Sequence, residues 1–251
     1  MDKQSIDQYR YFLKDSVRLM IDFHQTDQNR GITPPAIEKP VTEEHTIVDL
    51  VPVNKLENIP AIDLVKAIGN RKSHRKFLHQ PLSLDELSFL LWATQGVRKK
   101  VNEATAYRNV PSAGCRHSFE TYLCILNVSG LEQGIYRYLP LKHQLLFEHN
   151  EKNLGELLVE AALGQPFFGK APVSFIWSTI PYRMEWRYDI AAHKVIAIDA
   201  GHVCQNLYLA CEAINAGTCA VAAYNQSLID RLLKLDGDEE FTIYMAPVGK
   251  V

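Results

Sequence analysis

The chain has 251 residues, of which 47% are hydrophobic and 22% are charged, and its formal net charge is −2. This balance is typical of one globular domain with a sizeable core, and it excludes a largely disordered chain. A slightly acidic chain does not favour a general nucleic-acid binder, since such domains usually carry a basic excess. A local excess of positive charge therefore indicates a small, specific anion.

Charged residues occur throughout the first 30 positions, so the sequence predicts neither a signal peptide nor a membrane-spanning helix. The five cysteines are odd in number and include no Cys-x-x-Cys pair, which disfavours a disulfide framework and a zinc site. The nine histidines lack the spacing of a metal-ligand set. We expect a cytoplasmic protein with no bound metal, no membrane partner and no nucleic-acid partner.

Residues 1–58 are predicted to form an N-terminal arm, distinct from a body that spans residues 59–251. The spacing of apolar side chains predicts one short amphipathic helix in the arm, formed by Tyr9, Phe12, Leu13, Val17, Leu19 and Met20. Prolines 34, 35, 40 and 52 disfavour helix after it, so the remainder is predicted to be extended. Because the arm has too few apolar residues to fold alone, we expect it to lie across the body or a partner chain.

The first half of the body alternates between predicted helices and strands. A helix is predicted over 61–69, with Pro60 suited to its first turn. A second helix begins at Ser83, where Glu86 completes a capping box, and it ends at Gly96. The remaining predictions are a strand over 119–128, two short strands around Pro140, a helix capped by Asn153 with Glu156 and ending at Gly164, and a strand over 173–180.

The longest predicted helix runs from Ala200 to Asn215, with Asp199 as its N-cap. Its apolar residues recur at spacings of three and four, and Cys204, Tyr208 and Cys211 form a second stripe, so this helix should be buried over much of its circumference. A short strand, a helix over 227–235 and a strand over 241–249 follow. This order predicts an α+β fold with a largely antiparallel or mixed sheet, and the long helix indicates a subunit interface near the core.

The segment NRKSHRKF places four cations, Arg71, Lys72, Arg75 and Lys76, within six residues. If the preceding helix continues through this segment, Arg71 and Arg75 share one face, with Ser73 between them. A guanidinium group can bind a phosphate through two parallel hydrogen bonds, and a serine hydroxyl adds a donor. The alternative is a solvated helix end, since the helix dipole favours cations there by about 0.3–1 kcal/mol without any ligand.

Three further motifs are weaker, and each also has a purely structural interpretation. The turn in VPSAGCRHSFE has small side chains that allow a flat ligand to approach the backbone. The loop NAGTC joins the long helix to a strand, at a junction where ligands often bind. Lys250 in the terminal PVGK could add a cation to the same anion site. The fingerprints of a Rossmann nucleotide site, a P-loop and a serine hydrolase are missing from the sequence.

Taken in order, RKSHR, PSAG, AALGQPF, AGHVCQNLYLACEAINAGTCAV and PVGK resemble the nitroreductase-like flavoproteins. The resemblance is greatest to their SagB/ThcOx-type dehydrogenase branch and covers residues 60–251. It implies a nitroreductase-like α+β fold, with a mixed or antiparallel sheet flanked by helices around a long buried central helix. It also implies an intertwined homodimer that binds FMN at the subunit interface and uses NADH or NADPH as co-substrate.

The resemblance also assigns residues to the implied flavin site. Arg71, Ser73 and Arg75 would hold the FMN phosphate, assisted by Lys72, and Lys250 would join them. The turn that reaches the flavin from the neighbouring subunit matches Pro111, Ser112 and Ala113. The loop against the isoalloxazine edge matches Gly217 and Thr218.

Members of the branch that oxidise peptide azolines to azoles share a Lys-Tyr pair in which the lysine serves as base. The matching catalytic positions are Arg187 and Tyr188. Arginine effectively never loses its proton in proteins, so Arg187 cannot serve as that base, whereas Tyr188 could donate a proton or a hydrogen bond. The alternative is an Arg-Tyr pair packed on a loop.

The leading functional hypothesis is an FMN-dependent oxidoreductase that moves hydride from NAD(P)H through flavin to a small-molecule acceptor in a ping-pong cycle. One alternative is a flavin dehydrogenase that modifies a peptide or natural-product intermediate. A second is a non-catalytic flavin-binding partner subunit.

Overall fold

The structure of the protein is a computed structural model that describes residues 3–41, 46–56 and 58–251. Residues 1, 2, 42–45 and 57 of the predicted arm lie outside the described residues. The helices are α1 (Lys3–Leu13), α2 (Leu64–Asn70), α3 (Leu84–Gln95), α4 (Leu154–Ala161), α5 (Tyr182–Tyr188), α6 (Ala192–Ala213) and α7 (Gln226–Leu232). The strands are β1 (Ile47–Asp49), β2 (Val97–Asn102), β3 (Thr105–Arg108), β4 (Phe119–Ile125), β5 (Gly134–Leu139), β6 (Gln144–His149), β7 (Val173–Thr179), β8 (Ala216–Thr218) and β9 (Phe241–Lys250).

Seven of the strands form one sheet in the order β1-β6-β5-β4-β7-β9-β8, and every neighbouring pair in it is antiparallel. Strands β2 and β3 form a separate antiparallel hairpin. The predicted α+β class and largely antiparallel sheet are therefore confirmed. Strand β8 lies at one edge of the sheet, and the candidate site is built around this edge.

Helices cover both faces of the sheet, because alternate side chains of the central strands point to opposite faces. On β7, Phe175 and Trp177 join the core cluster that contains the buried residues of α3 and α6. Ile176, between them, joins the second cluster, which contains residues of α4 and α7. The predicted arrangement of a sheet flanked by helices is confirmed.

The long helix α6 begins at Ala192, eight residues before the predicted start. The prediction of Asp199 as its N-cap is wrong, because the segment before it contains no helix breaker and the helix runs through this position. Buried residues of α6 face the sheet, among them Ile196, Val203 and Leu207. One stripe of the helix is exposed in the single chain, formed by Ala197, Ile198, Gly201, His202 and Gln205.

Local signals place several other boundaries. The capping box of Ser83 and Glu86 is confirmed, with both reciprocal hydrogen bonds present. The prediction that Pro60 begins α2 is wrong, since the Asp63 side chain accepts from Lys66 N and caps the helix there. Asn153 does not cap α4 through its side chain and instead has a left-handed backbone with φ of 56°. The last helix starts just after Asn225, whose side chain accepts from Leu228 N.

The predicted arm contacts the body at several places. Its first helix, α1, buries none of its residues and is followed by a 3-10 turn, Ser16–Met20. Further along, Lys39 N donates to the buried carboxylate of Glu120 at 2.8 Å, and Arg137 donates to the Lys39 carbonyl at 2.8 Å. Strand β1 then pairs with β6. The second half of the arm is thus part of the sheet's packing.

Candidate functional site

The basic segment, residues 71–76, leaves α2 and docks onto the edge strand β8. Helix α2 ends at Asn70, and Arg71 caps it with a ψ of 123°. Ser73 forms a parallel bridge with Thr218, and His74 N donates to the Thr218 carbonyl at 2.9 Å. The condition that the helix continues through Arg75 is therefore not met, because pairing with β8 holds the segment in an extended conformation.

Contacts on either side of the segment show which way its side chains point. The Arg71 guanidinium carbon lies 5.1 Å from the centroid of the Tyr208 ring, and Ser73 Oγ lies 3.0 Å from Tyr208 Oη. Arg71 and Ser73 therefore share one side, as alternate residues of an extended segment do, and Arg75 continues that alternation. His74 points the other way, where its ring packs against the backbone of Gly217.

The four cations of this segment form no ion pair with the acidic residues that the structure describes. Among the ion pairs of the described residues, none involves Arg71, Lys72, Arg75 or Lys76. The helix dipole can account for Arg71, which caps α2, but its effect is confined to the last turn and does not extend to Arg75. A set of unpaired guanidinium and ammonium groups with a serine hydroxyl has the donor chemistry that a phosphate requires.

Tyr208 is the residue of this site that the sequence did not reveal. It lies on α6 within an apolar stripe, and this pattern predicts a core position. Its hydroxyl forms a hydrogen bond with Ser73 Oγ and accepts another from Ala220 N at 2.9 Å. Its ring lies against the guanidinium group of Arg71. A polar tip within an apolar stripe was the one available signal.

Gly217 and Thr218 form part of β8 beneath the basic segment. A Cβ added to Gly217 would lie 2.5 Å from His74 Cγ, so the position has no room for a side chain. The Thr218 hydroxyl donates to the Pro247 carbonyl at 2.9 Å and is used within the fold. Burial and then the charge of Lys72 lower the pKa of His74, which favours the neutral form of that imidazole.

Lys250 lies close to the same segment through its backbone, since Leu78 N donates to the Lys250 carbonyl at 2.8 Å. Its ammonium group has two other partners, the Glu86 carboxylate and the Ile214 carbonyl. The predicted role of Lys250 as a further phosphate cation therefore competes with a carboxylate that already neutralises its charge. The structure does not bring this ammonium group into the set of unpaired cations.

The turn at Pro111, Ser112 and Ala113 is fixed by hydrogen bonds to its neighbours. Ser112 Oγ accepts from His117 N at 2.9 Å. Ala113 N donates to the carboxylate of Asp199 on α6, with the nearer oxygen at 3.2 Å. Burial raises the pKa of Asp199, and the hydrogen bonds from Ser112 and Ala113 oppose that effect. Asp199, which the sequence predicts to be a helix cap, thus anchors this turn.

Arg187 and Tyr188 lie against the same turn, at its glycine. They form the end of α5 rather than a loop. Gly114 has a φ of 57°, and an added Cβ there would lie 2.5 Å from Tyr188 Oη and 2.9 Å from Arg187 Nε. The Arg187 guanidinium carbon is 5.6 Å from the centroid of the Tyr188 ring. The structure therefore joins two motifs that are more than 70 residues apart in sequence.

Helix α6 contacts both the basic segment and the Pro-Ser-Ala-Gly turn. Asp199 holds the Pro-Ser-Ala-Gly turn, and Tyr208 holds the basic segment, nine residues later on the same helix. At about 1.5 Å of rise per residue, their attachment points are about 13–14 Å apart along the helix axis. Gly201, His202 and Gln205 of the exposed stripe lie between these two points in sequence.

Comparison with known proteins agrees with this architecture. The model of the nitroreductase family matches residues 68–250. A Methanocaldococcus jannaschii protein named as a nitroreductase is 32% identical over 196 residues, which cover 78% of this chain and 95% of that protein. Fold and sequence together define an oxidoreductase enzyme. The chain belongs to the nitroreductase family, whose members generally bind FMN and use NADH or NADPH.

Solved structures give the same fold. A Ralstonia eutropha protein described as a nitroreductase is 25% identical with a TM-score of 0.63, and the match covers 85% of this chain and 98% of that one. An Anabaena variabilis protein of the same description is 21% identical with a TM-score of 0.65, and the match covers 82% of this chain but 42% of that one. A chain of the Escherichia coli microcin synthetase complex is 21% identical with a TM-score of 0.61, and the match covers 82% of this chain and 84% of that one.

The predicted family, fold and enzyme class are confirmed by these findings. The SagB/ThcOx-type branch, the cytoplasmic location and the individual site residues stay predictions. No helix in residues 3–41, 46–56 and 58–251 has the length and apolar character needed to cross a membrane.

Proposed function

We propose that this protein is an FMN-dependent oxidoreductase that transfers hydride from NADH or NADPH to a small-molecule acceptor in a ping-pong cycle. FMN supplies the redox chemistry when bound, and the protein supplies orientation and electrostatics. Membership of the nitroreductase family supports the reaction class. The observation that carries the cofactor assignment is the set of unpaired cations on the basic segment.

In this proposal Arg71, Ser73 and Arg75 bind the FMN phosphate. The two guanidinium groups donate paired hydrogen bonds to phosphate oxygens, the serine hydroxyl adds a donor, and Lys72 adds positive charge. The segment is already fixed by Thr218 and by Tyr208, so less side-chain freedom is lost on binding. The ammonium group of Lys250 binds Glu86, so Lys250 contributes to the phosphate site only through the hydrogen bond from Leu78 N to its carbonyl.

A homodimer completes the proposed site. Relatives in this family are commonly dimeric, and the exposed stripe of α6 offers two small residues four apart, Ala197 and Gly201, where a second helix can approach closely. Pro111, Ser112 and Ala113 of one subunit then reach the flavin held by the basic segment of the other. Gly217 and Thr218 would hold the isoalloxazine edge, where backbone N–H groups would stabilise negative charge.

Tyr188 and Arg187 complete the acceptor side in this proposal. The Tyr188 hydroxyl donates a hydrogen bond or a proton to the acceptor, and Arg187 acts as a fixed cation rather than a base. Azoline oxidation of the SagB/ThcOx type is therefore the less favoured candidate, although the microcin synthetase chain shares the fold. A dehydrogenase of another peptide or natural-product intermediate, or a flavin-binding subunit without turnover, would show no bleaching of the flavin by NAD(P)H.

The phosphate assignment is tested by changing Arg71 and Arg75 together to alanine. We expect the double variant to purify as a folded dimer with little FMN, because the two strongest phosphate donors are lost. The matched control changes two exposed arginines elsewhere, Arg30 and Arg231, to alanine and should keep the FMN content of the unaltered protein. Full FMN occupancy in the Arg71/Arg75 variant would refute the assignment.

A further inference from the structure

A second group of arginines lies where the Pro-Ser-Ala-Gly turn meets α5. Arg116 donates from Nε to the Arg183 carbonyl at 3.1 Å and from Nη1 to the Ala104 carbonyl at 3.0 Å. Its guanidinium carbon lies 4.8 Å from the centroid of the Trp186 ring. Arg187 follows Trp186 in sequence and packs against Gly114, which lies two positions before Arg116. Two guanidinium groups thus lie on the same small surface.

Within residues 3–41, 46–56 and 58–251, neither Arg116 nor Arg187 forms an ion pair with a carboxylate. Arg183 pairs with Glu120, but the ion pairs of the described residues include neither Arg116 nor Arg187. The nearby carboxylates are held by other donors. Glu185 accepts from His193, Asp189 from Ile190 N, and Asp199 from Ala113 N.

The environment of Arg116 disfavours a second positive charge beside it. Its side chain is buried, and Nη2 has no hydrogen-bond partner. Burial lowers the pKa of Arg116, and the like charges of Arg187 and Arg183 lower it further. Two cations held together without a counter-charge favour the binding of a negative group beside them.

We propose that the Arg116–Arg187 pair receives a carboxylate carried by the acceptor substrate. This inference rests on the proposed function, which places the flavin at the Pro-Ser-Ala-Gly turn. Arg187 is partly exposed at the end of α5 and can bind both carboxylate oxygens through its planar fork. Arg116 adds positive charge from behind, and the Tyr188 hydroxyl lies within the same contact surface at Gly114.

A carboxylate fits this site better than a phosphate does. Only Arg187 is open to a ligand, since Arg116 Nη2 is buried and its other nitrogens already donate to backbone carbonyls. One accessible fork matches a planar group with a single negative charge. The acceptor is therefore a small molecule with a carboxylate remote from the group that is reduced.

The test compares 4-nitrobenzoate with 4-nitrobenzamide, which have nearly the same shape but differ in charge. Each is titrated into the FMN-loaded dimer without reductant, and binding is followed by the change in flavin absorbance. We expect the acid to bind about tenfold more tightly than the amide, the size of effect that a charge-assisted hydrogen bond gives. In Arg187→Gln the ratio of the two Kd values should fall towards one. The matched charge control, Arg231→Gln on α7, should keep the ratio of the unaltered protein.

Equal affinities for the acid and the amide in the unaltered protein would overturn the inference, and so would an unchanged ratio in Arg187→Gln. The phosphates of the pyridine nucleotide are the other source of negative charge at this site. If Arg187→Gln shifts the preference between NADPH and NADH while the acid-to-amide ratio stays the same, the cation serves the nucleotide and the inference is wrong. A protein that takes up no FMN would instead refute the proposed function, and this inference with it.

Discussion

Tyr208 gives the sharpest prediction about the phosphate site. Changing Tyr208 to phenylalanine removes one hydroxyl group, which meets Ser73 Oγ at 3.0 Å and accepts from Ala220 N at 2.9 Å. The ring that supports the Arg71 guanidinium stays in place. The substitution therefore loosens the serine of the basic segment without removing any of its cations.

The expected loss is modest and selective. A hydrogen bond of this kind contributes about 0.5–1.5 kcal/mol net. If about 1 kcal/mol of it is felt by the bound phosphate, the Kd for FMN rises about fivefold. Riboflavin has the same ring system but no phosphate, so its affinity should change much less. The ratio of the riboflavin Kd to the FMN Kd is therefore expected to fall about fivefold in Tyr208→Phe.

Both dissociation constants can be measured by flavin fluorescence as apoprotein is added. Tyr224→Phe is the matched control, because it removes a phenolic hydroxyl that donates to the Thr242 carbonyl, outside the basic segment. The control should keep the Kd ratio of the unaltered protein. Equal weakening of FMN and riboflavin in Tyr208→Phe would mean general damage to the fold, and no weakening of either would mean that Tyr208 has no part in phosphate binding. Either result refutes the reasoning.

Two further predictions concern the dimer and the turn. Gly201→Arg places a large cation in the exposed stripe of α6, where arginine suits a helix better than glycine does, so we expect folded monomers with little FMN. Light scattering measures this, with Ser227→Arg on α7 as the control, and a dimeric Gly201→Arg would contradict the proposed interface. Burial, and then the charge of Arg108, lower the pKa of His117 to about 3. With an unfolded pKa of 6.5, the stability that the neutral imidazole provides is complete above that pH and is lost as the pH falls towards 3. The free energy of unfolding, measured in guanidinium, should therefore fall by about 2 kcal/mol between about pH 7.5 and about pH 5 because of this residue. The His117→Gln variant should not show this fall. If the free energy of unfolding of the unaltered protein and of His117→Gln changed equally with pH, this role of His117 would be refuted.

Features set by neighbouring residues could be predicted from the sequence. The capping box at Ser83 and Glu86 involves atoms of one helical turn, so its residues suffice to identify it. Strands β4, β5, β6, β7 and β9 are predictable for the same reason, because their β-branched and aromatic content is local. Strand β1 is not predicted, and the strand predicted over TCAVAAY lies earlier, at Ala216–Thr218. The order of the motifs along the chain then led to the correct family.

Features that depend on contacts between distant residues could not be predicted. The sequence left open whether the helix before the basic segment continues through it, and only Thr218, about 145 residues later, decides this by pairing with Ser73 and holding it extended. Asp199 has the chemistry of a helix cap, yet its carboxylate accepts from Ala113 N, far away in sequence. Tyr208 and Lys250 show the same difficulty, since their hydroxyl and ammonium partners are fixed only by the tertiary fold.

The central claim is that this protein binds FMN and reduces it with a pyridine nucleotide. The most direct test is a visible absorption spectrum of the purified protein, recorded before and after NADPH is added without oxygen. We predict a flavin spectrum that bleaches when NADPH is added. The same experiment with NADH identifies the preferred nucleotide. A colourless protein that does not take up added FMN, or a bound flavin that neither nucleotide reduces, would contradict the account.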